Sequence, residues 1–123
     1  MTVQSFELAY ITVSDIKKAK KLFTDVLGLK LETYDEKYGW LELSGKEGGA
    51  RIGVGQANKE CPTQPGTNAI LTLTVQDIVK AKKKLEGKIK FMGDIMEVPG
   101  EVKLQMFADD DGNLFQLVEK IRI

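Results

Sequence analysis

The most constraining feature of the sequence is a segment that occurs twice. Residues Thr12–Phe23 (TVSDIKKAKKLF) align with Thr74–Leu85 (TVQDIVKAKKKL) at a constant offset of 62, and eight of the twelve pairs are identical. Two lysine-rich helices of similar composition are the alternative explanation. The agreement, however, begins before the helix and includes the turn residues. A period near half the chain therefore predicts a duplicated supersecondary unit.

Each copy has the same predicted order of elements. A β-rich run leads into Asp15 or Asp77, which suits a helix N-cap, and apolar residues at helical spacing follow. In the first copy the apolar stripe comprises Ile16, Ala19, Leu22, Phe23, Val26 and Leu27. The strand-like runs are Glu7–Val13, Leu29–Tyr34, Tyr38–Leu43 and Ala50–Val54, then Ala69–Val75, Ile89–Met92, Val102–Phe107 and Asn113–Glu119. The order is βαβββ twice, which predicts an α+β fold.

The chain length predicts one domain. With 123 residues there is no room for two independent cores. The nearest candidate for a linker is the Pro- and Gly-containing segment Gln56–Asn68. We therefore expect a single domain over residues 1–123, with module 1 at about 4–57, a linker at about 58–67 and module 2 at about 68–123.

Composition excludes several classes of function. Lys and Arg number 18 and Asp and Glu number 18, and the zero net charge argues against nucleic-acid and membrane-surface partners. There is no histidine, so imidazole-dependent nucleophiles and most zinc sites are excluded. Cys61 is the only cysteine, which excludes an intrachain disulfide. Neither a signal peptide nor a transmembrane segment is visible, and we expect a cytoplasmic location.

The acidic run Asp109-Asp110-Asp111-Gly112 suggests calcium at first sight. An EF-hand loop with its glycine at 112 would need an acidic residue at 107 and Glu at 118, where the chain has Phe107 and Val118. We predict a tight turn between two strands instead.

Three phrases resemble the vicinal oxygen chelate superfamily, the group of glyoxalases, bleomycin-resistance proteins and extradiol dioxygenases. They are ITVSDIKKAKKLFTDVLGLKL, its shorter echo LTLTVQDIVKAKKKL, and the closing FADDDGNLFQLVEK. The resemblance spans nearly the whole chain and implies two tandem βαβββ modules that form a curled mixed sheet around a cavity, with helices on the outer face. For a member of this size it also implies a homodimer.

The resemblance further implies where a metal would be held. Metal-dependent members carry ligands, usually two His and two Glu, on the first and last strand of each module. The matching positions here are Leu8, Gly53, Ile70 and Gln116. Two aliphatic side chains, a glycine and an amide are poor ligands for a divalent ion. We therefore expect no metal and no cofactor.

Strand alternation indicates which side chains face the implied cavity. If Leu8 faces it, so do other side chains of the same parity on the first, third and fourth strands of module 1 and their counterparts in module 2. Leu8 and Ile70 could equally be core residues, and Glu42 with Arg51 an ordinary cross-strand pair. The candidate ligand-binding residues are Phe6, Leu8, Tyr10, Trp40, Glu42, Arg51, Gly53, Ile70, Thr72 and Gln116.

Three functional hypotheses follow. The first is a metal-independent small-molecule-binding protein that sequesters an antibiotic or another aromatic or cationic ligand. The second is a metal-independent lyase- or isomerase-type enzyme with Glu42 or Tyr10 as acid/base, which requires burial to raise the pKa of Glu42. The third is an interaction module with a filled cavity. The first leads, because no strong catalytic group is visible.

Overall fold

The computed structural model describes residue 4 and residues 7–59 and 63–121. The chain forms two compact units that divide between Pro65 and Gly66, inside the predicted linker. The single-domain organisation stays a prediction. None of the helices in the described ranges is long and apolar enough to cross a membrane.

The first unit is a four-stranded mixed sheet with one helical segment. Its strands lie in the order β1-β4-β3-β2, with β1 parallel to β4 and the other pairs antiparallel. The elements are β1 (Leu8–Val13), α1 (Ile16–Lys21), a π-helical turn (Leu22–Val26), β2 (Lys30–Asp35), β3 (Trp40–Gly45) and β4 (Gly48–Gln56).

The second unit repeats this topology. Its order is β5-β8-β7-β6, with β5 parallel to β8 and the remaining neighbours antiparallel. The elements are β5 (Leu71–Thr74), α2 (Ile78–Leu85), β6 (Lys90–Val98), β7 (Val102–Ala108) and β8 (Leu114–Lys120). The α+β class and the tandem βαβββ modules predicted from the repeat are confirmed.

Each unit buries the sheet face that its helix covers. Successive side chains of a strand point to opposite faces, and apart from Val118 of β8 the buried apolar residues fall on one parity in each strand. In the first unit they are Ile11, Val13, Leu41, Leu43, Ile52 and Val54 with Ile16, Ala19 and Phe23; in the second they include Leu71, Phe107, Phe115 and Leu117 with Ile78 and Leu85.

Both helices begin with the same two kinds of hydrogen bond, an aspartate N-cap and a bond from the first helical N–H to a side chain of the sheet. The Asp15 carboxylate accepts from the backbone N–H groups of Lys17 and Lys18, and Asp77 accepts from Lys80. The first helical N–H of each unit donates to a side chain at the end of the last strand: Ile16 to Gln56 at 2.8 Å and Ile78 to Glu119 at 2.8 Å. Because the first N–H groups of a helix have no partner within it, these side chains tie each helix to its sheet.

The first helix departs from the predicted continuous stripe. The α-helix ends at Lys21, and the next turn closes through a bond from the Leu27 N–H to the Leu22 carbonyl. The Thr24 hydroxyl donates to the Lys20 carbonyl at 2.7 Å, which is the acceptor of the regular α-helical bond from Thr24. Such local side-chain bonds compete with the helical pattern and favour a wider turn.

The strand predicted over Ile89–Met92 is longer than expected. The structure extends it to Val98 through an irregularity, since Met92 pairs with Met106 and Met96 with Leu104. The buried Gln105 side chain lies opposite the irregular residues and donates to the carbonyls of Met92 and Gly93. Gly93, which directly follows the predicted strand, therefore belongs to a β-bulge.

The acidic run forms the predicted turn between β7 and β8. The Asp109 carboxylate accepts from the backbone N–H groups of Asp111 and Asn113 and from the Asn113 amide. Burial raises the pKa of Asp109, the opposite of what a metal-binding carboxylate needs. The turn is therefore held together by its own side chains.

The helix cap gives a stability test. We expect Asp15→Ala to lower the free energy of unfolding by about 1 kcal/mol, because it leaves the Lys17 and Lys18 N–H groups without their acceptor. Asp15→Asn keeps a side-chain oxygen and is the matched control, expected to stay close to wild type. Urea denaturation followed by circular dichroism measures both, and an equal loss in the two variants would contradict the capping role.

Candidate functional site

The candidate site lies on the face of the first sheet that the helix does not cover. Leu41, Leu43 and Val54 point toward the helix and are fully buried, so residues of the other parity occupy the opposite face. Tyr10 pairs with Gly53 across β1 and β4, and Gly53 pairs with Glu42 across β4 and β3. Five of the predicted residues therefore meet on this face: Tyr10, Trp40, Glu42, Arg51 and Gly53.

The absence of a side chain at Gly53 positions the aromatic residues. A Cβ at this glycine would lie 2.5 Å from Cη2 and 2.8 Å from Cζ2 of Trp40, and 2.8 Å from the Tyr10 Cβ. The indole ring therefore rests against the backbone of β4, in space that any other residue would fill. The Tyr10 ring meets it edge-on, with the centroids 5.3 Å apart and the planes at 69°. We call Trp40 and Tyr10 the aromatic platform.

Hydrogen bonds fix the orientation of the indole. The Trp40 Nε1–H donates to one Glu42 carboxylate oxygen at 3.0 Å, and the Arg51 guanidinium donates to the other at 2.9 Å. The Glu42 side chain is 18% exposed and that of Arg51 is 42% exposed. Both carboxylate oxygens are thus engaged, and the platform is set before any ligand arrives.

These donors also set the ionisation of Glu42. The hydrogen bonds from Trp40 and Arg51 lower the pKa of the Glu42 carboxyl, because they stabilise its charged form. The acid/base hypothesis required a raised pKa at Glu42, and that requirement is not met. A carboxylate with a lowered pKa is ionised at neutral pH and is a weak proton acceptor. The catalytic role of Tyr10 stays a prediction.

Two further carboxylates act on Arg51 that sequence reasoning missed. The hydrogen bond to Glu42 raises the pKa of the Arg51 guanidinium, and the negative charges of Glu42, Glu32 and Glu7 raise it further. Glu32 accepts a hydrogen bond from the Ser44 hydroxyl at 2.6 Å, which lowers the pKa of Glu32. The strand register shifts between Leu31 and Thr33, so alternation along β2 could not assign Glu32 to this face.

The other predicted residues are placed as follows. Leu8 is half-buried and pairs with Arg51. Phe6 lies outside the described residues. In the second unit, Ile70 is exposed and directly precedes β5, while the Gln116 amide donates to the Thr72 hydroxyl at 2.8 Å.

The side chains present do not fit a divalent metal ion. By strand pairing Gly53 is the counterpart of Gln116, since Gly53 pairs with Tyr10 as Gln116 pairs with Thr72. The indole of Trp40 covers Gly53, and the Gln116 amide is bonded to Thr72. Leu8 and Ile70 have no donor atom at all. Within residues 7–59 and 63–121, no three His, Cys, Asp or Glu side chains come together as a ligand set.

Comparison with known proteins gives a consistent result. The family model described as "Glyoxalase/Bleomycin resistance protein/Dioxygenase superfamily" matches residues 4–117. No curated protein matches the chain significantly.

Several solved structures are similar over nearly their whole length. A member of the glyoxalase/bleomycin resistance protein/dioxygenase superfamily from Sphaerobacter thermophilus is 25% identical, with a TM-score of 0.78, covering 95% of this chain and 98% of that one. TnmS3, an antibiotic binding protein from Streptomyces sp. CB03234, is 25% identical, with a TM-score of 0.76 and 98% of both chains covered. A glyoxalase/bleomycin resistance protein from the same organism is 26% identical, with a TM-score of 0.71 and coverage of 92% and 98%.

The packing at Gly53 gives a second test. We expect Gly53→Ala to lower the free energy of unfolding by about 1–3 kcal/mol and to displace the indole, because the added methyl overlaps Trp40 and Tyr10. Trp40 is the only tryptophan, so its emission reports the displacement directly. Gly66→Ala is the matched control, since a Cβ there meets nothing within 4 Å. Unchanged emission in Gly53→Ala would show that the indole does not depend on this glycine.

The ionisation of Glu42 gives a pH test. Its lowered pKa contributes stability above the ordinary pKa of glutamate, and this contribution is lost as the pH falls through the lowered value. We expect Glu42→Gln to be less stable than wild type at pH 7 and to lose less further stability between about pH 5 and pH 3. Glu32 still contributes in the same direction in that variant, so some decline remains.

Urea unfolding at a series of pH values measures the effect. Glu47→Gln, at an exposed position of the turn between β3 and β4, serves as the control and should keep the wild-type dependence. Parallel curves for Glu42→Gln and wild type would contradict the assignment.

Proposed function

This chain belongs to the glyoxalase/bleomycin resistance protein/dioxygenase superfamily, and from that premise we propose that it is a metal-independent small-molecule-binding protein. Its ligand is a planar aromatic compound that stacks on the aromatic platform of Trp40 and Tyr10. The observation that carries the proposal is the indole packed on Gly53 and tied to Glu42, because it presents a rigid aromatic surface without any ligand-induced ordering.

The exposure of the platform supports binding over a merely structural role. Tyr10 lies on β1, an edge strand of the sheet, and is 48% exposed. A hydrogen bond fixes the orientation of the Trp40 indole, and the neighbouring Tyr10 ring is open to solvent. Ligand sites combine such apolar walls with a few oriented polar groups.

The relatives support the same class of function. One similar structure is described as an antibiotic binding protein and another as a glyoxalase/bleomycin resistance protein. A fold shared by many chemistries does not select one of them. The selection rests on the site, where the lowered pKa of Glu42 opposes an acid/base mechanism and the side chains at the family's ligand positions disfavour a metal.

Ligand binding is testable through the single tryptophan. We expect planar aromatic compounds to quench the Trp40 emission, and Tyr10→Ala to weaken their binding about tenfold, since an aromatic pair contributes about 1–1.5 kcal/mol. Tyr38→Ala removes another tyrosine that is 66% exposed and lies outside the platform, so it should bind as wild type does. Isothermal titration calorimetry checks the affinities.

Two outcomes would contradict the proposal. If no planar compound in a broad panel changes the emission or the melting temperature, the binding function is wrong. If the purified protein holds a stoichiometric divalent ion that is lost in Gln116→Ala, the metal-independent part is wrong.

A further inference from the structure

The charges around the platform are not balanced. Glu7, Glu32 and Glu42 all act on Arg51, which is one positive charge among three negative ones. Lys30 lies 3.9 Å from Glu32 and adds a second positive charge, so the cluster keeps a net negative charge. The faces of the Trp40 and Tyr10 rings are also negative, and aromatic faces attract cations. This surface therefore favours a cationic ligand over an anionic one.

The position beside the Glu42 carboxylate, where such a cation would bind, is occupied by the Arg51 guanidinium. The Glu42 carboxylate lies beside the indole, to which it is bonded, and Arg51 holds its second oxygen at 2.9 Å. A ligand that stacks on Trp40 and carries a positive group at its edge would compete with the guanidinium for this oxygen.

We propose that Arg51 is an internal counter-ion that occupies the cation subsite, and that a planar cation binds the platform by taking over Glu42 from the guanidinium. Arg51 thereby sets both the affinity and the charge preference of the site. This inference rests on the proposed function, because it concerns the same aromatic surface.

The structure makes this exchange feasible. Arg51 is 42% exposed, more than twice the exposure of Glu42, so its head can move into solvent without a burial penalty. One hydrogen bond joins it to Glu42, and exposed ion pairs of this kind are weak. Glu42 keeps its position when Arg51 leaves, because the Trp40 indole N–H still holds the other oxygen at 3.0 Å.

The test compares two planar probes of the same ring system on the full chain. Proflavine is cationic at neutral pH, and acridine is neutral at pH 8. We expect Arg51→Met to bind proflavine about fivefold more tightly than wild type, the upper end of what one weak ion pair contributes, and to bind acridine unchanged within about twofold. Arg51→Lys restores a cation and should return the proflavine affinity toward wild type.

Lys30→Met is the matched control for overall charge. It removes one positive charge from the same cluster without touching Glu42. Because solvent screens this charge, its removal should change the proflavine affinity by less than about twofold. Equal tightening in Lys30→Met and Arg51→Met would overturn the proposal in favour of a general charge effect. Unchanged or weaker proflavine binding in Arg51→Met would overturn it as well.

A second variant covers the case in which Arg51→Met does not fold. Glu42→Gln removes the carboxylate for which the cations compete, and we expect it to abolish the preference for proflavine over acridine. A retained preference would overturn the proposal. Failure of the proposed function gives a different result: neither probe binds the wild-type protein, and Tyr10→Ala therefore changes nothing.

Discussion

The candidate site depends on the close contact between the backbone of β4 at Gly53 and the indole ring of Trp40. At Gly53 the indole of Trp40 lies where a Cβ would be, and this contact determines where the ring's N–H points and which carboxylate it reaches. Glu42 then places Arg51. A glycine inside a strand costs stability, because it loses more conformational freedom on folding and packs no side chain of its own. Here the cost is offset by an aromatic ring that packs on the strand and is held by a charged hydrogen-bond acceptor.

The sequence could predict the face of the site because strand geometry is periodic. Tyr10, Trp40, Glu42, Arg51 and Gly53 were assigned to one face by parity alone, and the observed pairings bring them there. Parity holds only while the strand is regular. The shift in register in β2 placed Glu32 beside Ser44 and within reach of Arg51, and no feature of the sequence marks that irregularity. The bulge opposite Gln105 and the π-helical turn at Thr24 were missed for the same reason: each involves side-chain bonds to the backbone that periodicity does not reveal.

The sequence predicted the ionisation of Glu42 less well than it predicted the face on which the site lies. A glutamate beside an arginine is compatible with a surface ion pair, a buried base or a ligand contact. The geometry distinguishes these possibilities, because two donors on one carboxylate lower its pKa, whereas burial without donors would raise it. The same two bonds therefore disfavour proton transfer by Glu42 and favour its use as a fixed negative charge. The sequence left the direction of this pKa open, and the two hydrogen bonds to the carboxylate lower it.

Comparison of the two units shows which parts of the duplicated module are constrained. The bonds that hold each helix to its sheet recur, with Asp15 and Gln56 in the first unit and Asp77 and Glu119 in the second. They satisfy helical N–H groups, so a change there leaves a backbone donor without a partner. The faces away from the helices have diverged: the row Tyr10, Gly53, Glu42 in the first unit corresponds to Thr72, Gln116, Met106 in the second. The helical N–H groups named above do not use these side chains as acceptors, although the Thr72 hydroxyl donates to the Ile70 carbonyl at 3.3 Å. The two copies therefore share the same frame while their faces away from the helices carry different side chains, and in the first unit these form an aromatic platform beside a hydrogen-bonded carboxylate.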